Sequence, residues 1–121
     1  MDLLEVTMLS AEEQGTRLST TMDYIIKHNL KGTPVVYFEY IDGEEEFIKH
    51  DMNTESSKEF FSRVVKKVVT DENVYVGVVY VPDRSGRAYL NVLFGRTKEY
   101  NVWEFTGDQF IPVSIRTETM H

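Results

Sequence analysis

The sequence predicts an α+β fold, with two helices packed on a mainly antiparallel sheet in the order (β)-α-ββ-α-ββββ. Three observations lead there. Segments 10–32 and 53–73 carry apolar residues at three- and four-residue steps, the period of one helix face. Six short runs rich in Val, Ile, Tyr and Phe have β character instead. Those runs follow one another across turn-forming stretches, as one hairpin and one meander, which pairs neighbours antiparallel. With 121 residues, the chain 1–121 forms a single domain that buries about two thirds of its unfolded surface without metal or disulfide support.

The elements follow in chain order. "LEVTML", residues 4–9, reads as a short first strand. The first helix spans Ala11 to Asn29. Ser10 and Glu13 have the S-x-x-E spacing of a capping box, in which each side chain satisfies an orphan amide at the helix start. Leu18, Met22, Ile25 and Ile26 share its apolar face. His28 and Lys31 suit its C-terminal dipole, and Gly32 with Pro34 stops it. "PVVYFEYI-DG-EEEFIKH" is a hairpin, with Asp42-Gly43 supplying the positive φ angles of a tight two-residue turn. In "NTESSKEFFSRVVKKVVTDEN", Asn53 or Thr54 caps a second helix whose stripe is Phe60, Phe61, Val64, Val65, Val68 and Val69. The four valines weaken helix propensity, and a strand over Arg63–Val69 is the competing reading. The apolar pairs recur every four residues and do not alternate, which favours the helix.

The meander is "VYVGVVYV", "AYLNVLF", "YNVWEF" and "FIPVSI". The first run alternates poorly, as a central strand covered on both faces does. The third alternates cleanly, with Tyr100, Val102 and Glu104 opposite Asn101, Trp103 and Phe105. Pro112 consigns the last run to an edge. Meander turns fall alternately at the two ends of the sheet. Arg84 and Arg87 therefore share an end with Gly107 and Asp108, while Arg96 and Lys98 share the other.

Charge is the most informative global feature. The formal net charge is −7, unevenly spread: residues 42–55 carry a local net of −5, and residues 56–98 a local net of +4. Generic attraction to nucleic acid or anionic lipid needs an excess of Lys and Arg, so neither partner is expected. The chain has no cysteine, which excludes thiol catalysis, disulfides and Cys-ligated metal. No apolar run approaches the ~20 residues of a spanning helix, and the acidic N-terminus is unlike a secretory signal, so a cytoplasmic location is expected.

Candidate sites divide by chemistry. His28, His50, Asp51, Glu44, Glu45, Glu46 and His121 could ligate metal, but they lack both the shared helix face of zinc motifs and the alternating oxygens of a calcium loop. No metal or other cofactor is expected. There is no G-x-S-x-G elbow, and Ser85 lies beside arginines with no nearby His, so no catalytic residue is assigned. Glu39 in "VVYFEYI" and Glu104 in "NVWEF" are charges within strands. With Arg84 and Arg87 they define a candidate ligand pocket between helices and sheet.

The acidic hairpin is the better candidate. Asp42, Glu44, Glu45, Glu46 and Asp51, with the aromatic Tyr40 and Trp103, make a surface suited to a basic protein partner. In size, acidity and α+β pattern the chain resembles secretion chaperones, immunity proteins against nuclease toxins and phage-encoded inhibitors. No motif carries that resemblance, so no residue role is transferred. The expected function is a non-enzymatic interaction module, most concretely an inhibitor or immunity-type protein. A small-ligand-binding domain or enzyme and an acidic DNA mimic are the alternatives. An open sheet edge also offers homodimerisation.

Overall fold

The computed structural model describes residues 9–83, 85–95 and 97–113, together with the backbone of 118–119. The expected first strand falls almost wholly outside them, as do Arg84, Arg96 and His121. Helix α1 (Ala11–Lys27) starts at the expected capping box: Glu13 N–H donates to Ser10 Oγ at 3.1 Å, and Ser10 N–H to Glu13 Oε1 at 3.2 Å. It stops two residues earlier than expected. Asn29 takes a left-handed φ of 57°, Leu30 N–H donates to Ile25 O and Asn29 N–H to Ile26 O. That is the Schellman arrangement, and Asn tolerates its left-handed position. Asn29 therefore ends the helix before Gly32 and Pro34 act.

Strands β1 (Val35–Tyr40) and β2 (Glu45–Lys49) form the hairpin. Helix α2 (Ser57–Thr70) follows, then β3 (Val74–Pro82), β4 (Ala88–Phe94), β5 (Glu99–Phe105), β6 (Phe110–Pro112) and the two-residue β7 (Glu118–Thr119). The competing strand over 63–69 is helix. Its cap is Ser56, in a second capping box with Glu59, and neither Asn53 nor Thr54 fills that role. Asp51 explains the shift: its carboxylate accepts from Asn53 N–H and its carbonyl from Glu55 N–H, holding residues 51–55 in turns.

Every strand pair is antiparallel, and the main path through the sheet is β2-β1-β3-β4-β5-β6, with β7 paired to the start of β5. Strand β3 is central, as its poor alternation suggested, and β6 with Pro112 pairs only with β5. The connection through α2 leaves β2, crosses over β1 and returns as β3 on the far side.

Alternation assigns the two faces. Val35, Tyr37, Val76, Val78, Leu90 and Val92 pack against Leu18, Met22 and Ile25 of α1. Val36, Phe38, Val79 and Leu93 pack against Phe60, Val64 and Val68 of α2. The helices therefore lie on opposite faces, giving three layers with the sheet in the middle. The period-2 pattern decides which residues of β2 and β5 look toward which helix.

Candidate functional site at the acidic hairpin edge

The site is built on a turn. Residues 41–44 lie between β1 and β2, and because Tyr40 bonds to Glu44 the turn itself has three residues, 41–43, and not the expected two. Tyr40 N–H donates to Glu44 O at 2.8 Å and Gly43 N–H to Tyr40 O at 2.9 Å. Gly43 has φ 91°, whereas Asp42 keeps a negative φ. Asp42 prefers its own local bond, accepting from Glu44 N–H at 3.0 Å. Only Gly43 supplies the left-handed step, as in three-residue hairpin loops. The loop projects Asp42, Glu44, Glu45 and Glu46 as exposed carboxylates at one end of an edge strand.

Two polar networks fix this edge from the two faces. On the α1 face, Glu39 and Glu45 stand directly opposite each other across β1 and β2. Like charges at paired positions repel. Arg17 of α1 compensates, its guanidinium 3.0 Å from Glu39 Oε2 with both side chains about one-fifth exposed. The buried Tyr37 places its hydroxyl between the two carboxylates, donating to Glu45 and lying 3.3 Å from Glu39 Oε1. Burial and then the Glu45 bond push the Tyr37 hydroxyl far above its ordinary pKa, so it remains a donor at all physiological pH. On the α2 face, Tyr40 donates to Glu46 Oε1 at 2.6 Å, and Lys67 approaches the same oxygen at 3.8 Å. Burial followed by the Glu46 bond raises the Tyr40 hydroxyl, and Tyr40 with Glu46 holds Lys67 in its charged form. The Lys67 ammonium also lies over the rings of Phe38 and Tyr40.

The structure brings Tyr40, Asp42, Glu44, Glu45 and Glu46 together and separates the other expected binding residues from them. Asp51 lies beyond the opposite end of β2. Trp103 is on β5, with β1, β3 and β4 between it and β2. Its indole N–H donates to Gln14 Oε1 at 3.0 Å, and Asn101 Nδ2 reaches the same oxygen at 3.3 Å. Trp103 fastens α1 to the far side of the sheet.

Of the candidate pocket residues that are described, Glu39 and Glu104 do not converge. Glu39 faces α1, whereas Glu104 lies on the α2 face with Arg87 3.9 Å away. A cleft of about 400 Å³ does exist between the end of α1 and the sheet, lined by Met22, Ile26, Lys31, Tyr80, Arg87 and Phe105. Neither Glu39 nor Glu104 lines it. Arg87 and Gly107 share that end, as turn alternation requires. No group of three or more His, Asp or Glu among the described residues is placed to hold a metal ion.

Sequence reasoning missed Arg17 and Tyr37, which set the electrostatics of the edge. Arg17 is one of several exposed-looking positions on α1, and only the packing of α1 over β1 gives it a role. Tyr37 reads as a core aromatic because its ring is one. No protein-family model, curated protein or solved structure matches the chain. The class that fold and site define is thus an α+β domain with an acidic hairpin at one sheet edge. Among the described residues no helix is long and apolar enough to cross a membrane.

Proposed function

We propose that the protein is a non-enzymatic interaction module that holds a basic protein partner at the β1–β2 hairpin, as a small inhibitor or immunity-type protein does. One observation carries the reading. Four carboxylates project from a hairpin whose loop and flanking strands are pinned by backbone bonds, Arg17, Tyr37 and Tyr40. A fixed array of like charge raises the encounter rate with an oppositely charged surface without the cost of ordering side chains at contact. Neutral hydroxyls orient Glu45 and Glu46; Lys67 offsets part of the Glu46 charge, and Asp42, Glu44 and Glu45 keep the cluster acidic.

The test compares the wild type with a Glu44→Gln, Glu45→Gln, Glu46→Gln triple variant as bait in affinity capture at low and high salt. Gln keeps the acceptors for Tyr37 and Tyr40. Stoichiometric capture of one basic protein by the wild type, lost at high salt and lost with the variant, is expected. Equal capture by the variant contradicts the assignment to the hairpin.

The 400 Å³ cleft supports a second reading, since two cations, Lys31 and Arg87, outnumber the one acid, Asp83, in its described lining, beside apolar Met22, Ile26 and Phe105. That composition suits a small anionic ligand with an apolar body. A saturable rise in melting temperature with such compounds, abolished by Arg87→Ala, is its expected signature.

A further inference from the structure

We infer that a second copy of this chain pairs with β2 across the open sheet edge, antiparallel and centred on Phe47, to give a two-fold symmetric dimer with one continuous sheet. The inference does not rest on the basic-partner reading, although both use Glu45 of the β2 edge, and the tests below use no partner.

The hydrogen-bond phase of the hairpin decides which backbone groups are available. His50 N–H donates to Pro34 O at 2.9 Å and Tyr40 N–H to Glu44 O at 2.8 Å. With Tyr37 paired to Phe47 and Val36 to Ile48, the even-numbered residues of β2 bond to β1. Antiparallel ladders alternate, so the N–H and C=O groups of Glu45, Phe47 and Lys49 point outward, where no strand among the described residues neighbours β2. An antiparallel copy centred on Phe47 sets Phe47 against Phe47 and Glu45 against Lys49. Each outward N–H and C=O then finds a partner in the copy.

That register is also the one in which charge matches. Edge strands are commonly guarded by charges that oppose pairing. In "EEFIK" the guard becomes complementary, because Glu45 and Lys49 lie on the same face at opposite ends of the strand and exchange across the two-fold axis. Phe47 and Ile48, only half-buried in one copy, gain cover.

The flanking apolar residues agree. Met52 and Ile41 are the two most exposed large apolar side chains among the described residues, at 74% and 62%. One follows β2 and the other precedes it. The same register brings Ile41 of each copy to the end occupied by Met52 of the other, so both ends of the junction gain an apolar contact. Among the described residues the far edge offers no equivalent, since β6 has three residues and ends in Pro112. One opposing contact exists: the copy's Asp51 falls beside Gly43, close to Asp42 and Glu44. A junction built on one five-residue strand is small beside the roughly 1,200–2,000 Å² of standard interfaces, so a dimer of micromolar or weaker affinity is expected.

Sedimentation of the wild type from micromolar to submillimolar concentration should show a reversible monomer–dimer equilibrium. Lys49→Glu places like charges at both Glu45–Lys49 contacts and weakens the dimer roughly tenfold or more. Glu45→Lys alone does the same. Mixing the two variants restores both contacts and yields a heterodimer tighter than either homodimer, with circular dichroism confirming that each variant is folded. Asp51→Asn keeps the local turn acceptor and tightens the dimer a few-fold. Because the chain has no cysteine, Ile41→Cys and Met52→Cys chains should form a mixed disulfide on gentle oxidation, in preference to either self-pair. A monomer at every concentration overturns the inference. So does a dimer that Lys49→Glu leaves intact or that the mixture fails to restore.

Discussion

The two ends of the sheet path are held by different physics. At the β5–β6 end, Trp103 packs beneath α1 and its indole shares Gln14 Oε1 with Asn101. Strands β6 and β7 divide the outer flank of β5, and Pro112 removes a ladder donor. At the β2 end, two carboxylates face each other across paired strands, balanced by one arginine and one phenol. The first end is closed by packing and by a broken edge. The second is held electrostatically, and among the described residues no strand pairs with its outward backbone groups. The dimer inferred above would use this difference, with one edge closed and a short, charge-patterned strand left at the other.

The comparison can be broken most severely at the packed end. Trp103→Ala removes a half-buried indole and one of the bonds to Gln14, at an expected cost of about 2–3 kcal/mol. Denaturant unfolding should show this loss with little dependence on salt, and a salt-dependent loss would contradict the packing role. Arg17→Met is the corresponding change at the hairpin end. It leaves Glu39 and Glu45 opposed without their cation, at an expected cost of about 1–2 kcal/mol. Added salt should recover part of it by screening, and a salt-independent cost would mean that Arg17 acts through packing of its stem.

The smallest expected effect is alkaline. The Tyr37 hydroxyl is raised in the folded chain above its ordinary value of 10.0. An acid whose folded pKa is raised favours the fold fully below its unfolded pKa and loses that contribution as pH climbs above it. Stability should therefore fall above about pH 10, less steeply in Tyr37→Phe than in the wild type. Tyr40 and Tyr80 are raised in the same direction and contribute to the remaining slope. An identical alkaline limb in both proteins would remove Tyr37 from the network.

Much of the fold was legible because local chemistry and global packing agree. The Ser10–Glu13 box, the four-residue recurrence of apolar pairs in α2 and the alternation along β5 each predicted what formed. The second capping box had the same spacing, but Asn53 and Thr54 offered earlier caps, and only the turns at Asp51 rule them out. In the hairpin, Asp-Gly suggested two positive φ angles. The Asp42 bond to Glu44 N–H left only one and lengthened the loop. The acidic cluster on the turn was legible because it is contiguous in sequence. The distance of Trp103 from it was not, since strand order depends on α2 carrying the chain over β1 to the far side of the hairpin. Arg17 and Glu39 meet across 22 positions, a separation that no local pattern encodes.

Residue-resolved amide exchange of the wild type, in dilute and in concentrated solution, tests most directly whether the β2 edge is the one that associates. The outward amides of Glu45, Phe47 and Lys49 should exchange fast when dilute and become protected together as concentration rises, while the inward amides of Glu46 and Ile48 stay protected throughout. Protection that grows instead along β6, or outward β2 amides that exchange fast at every concentration, would contradict the assignment.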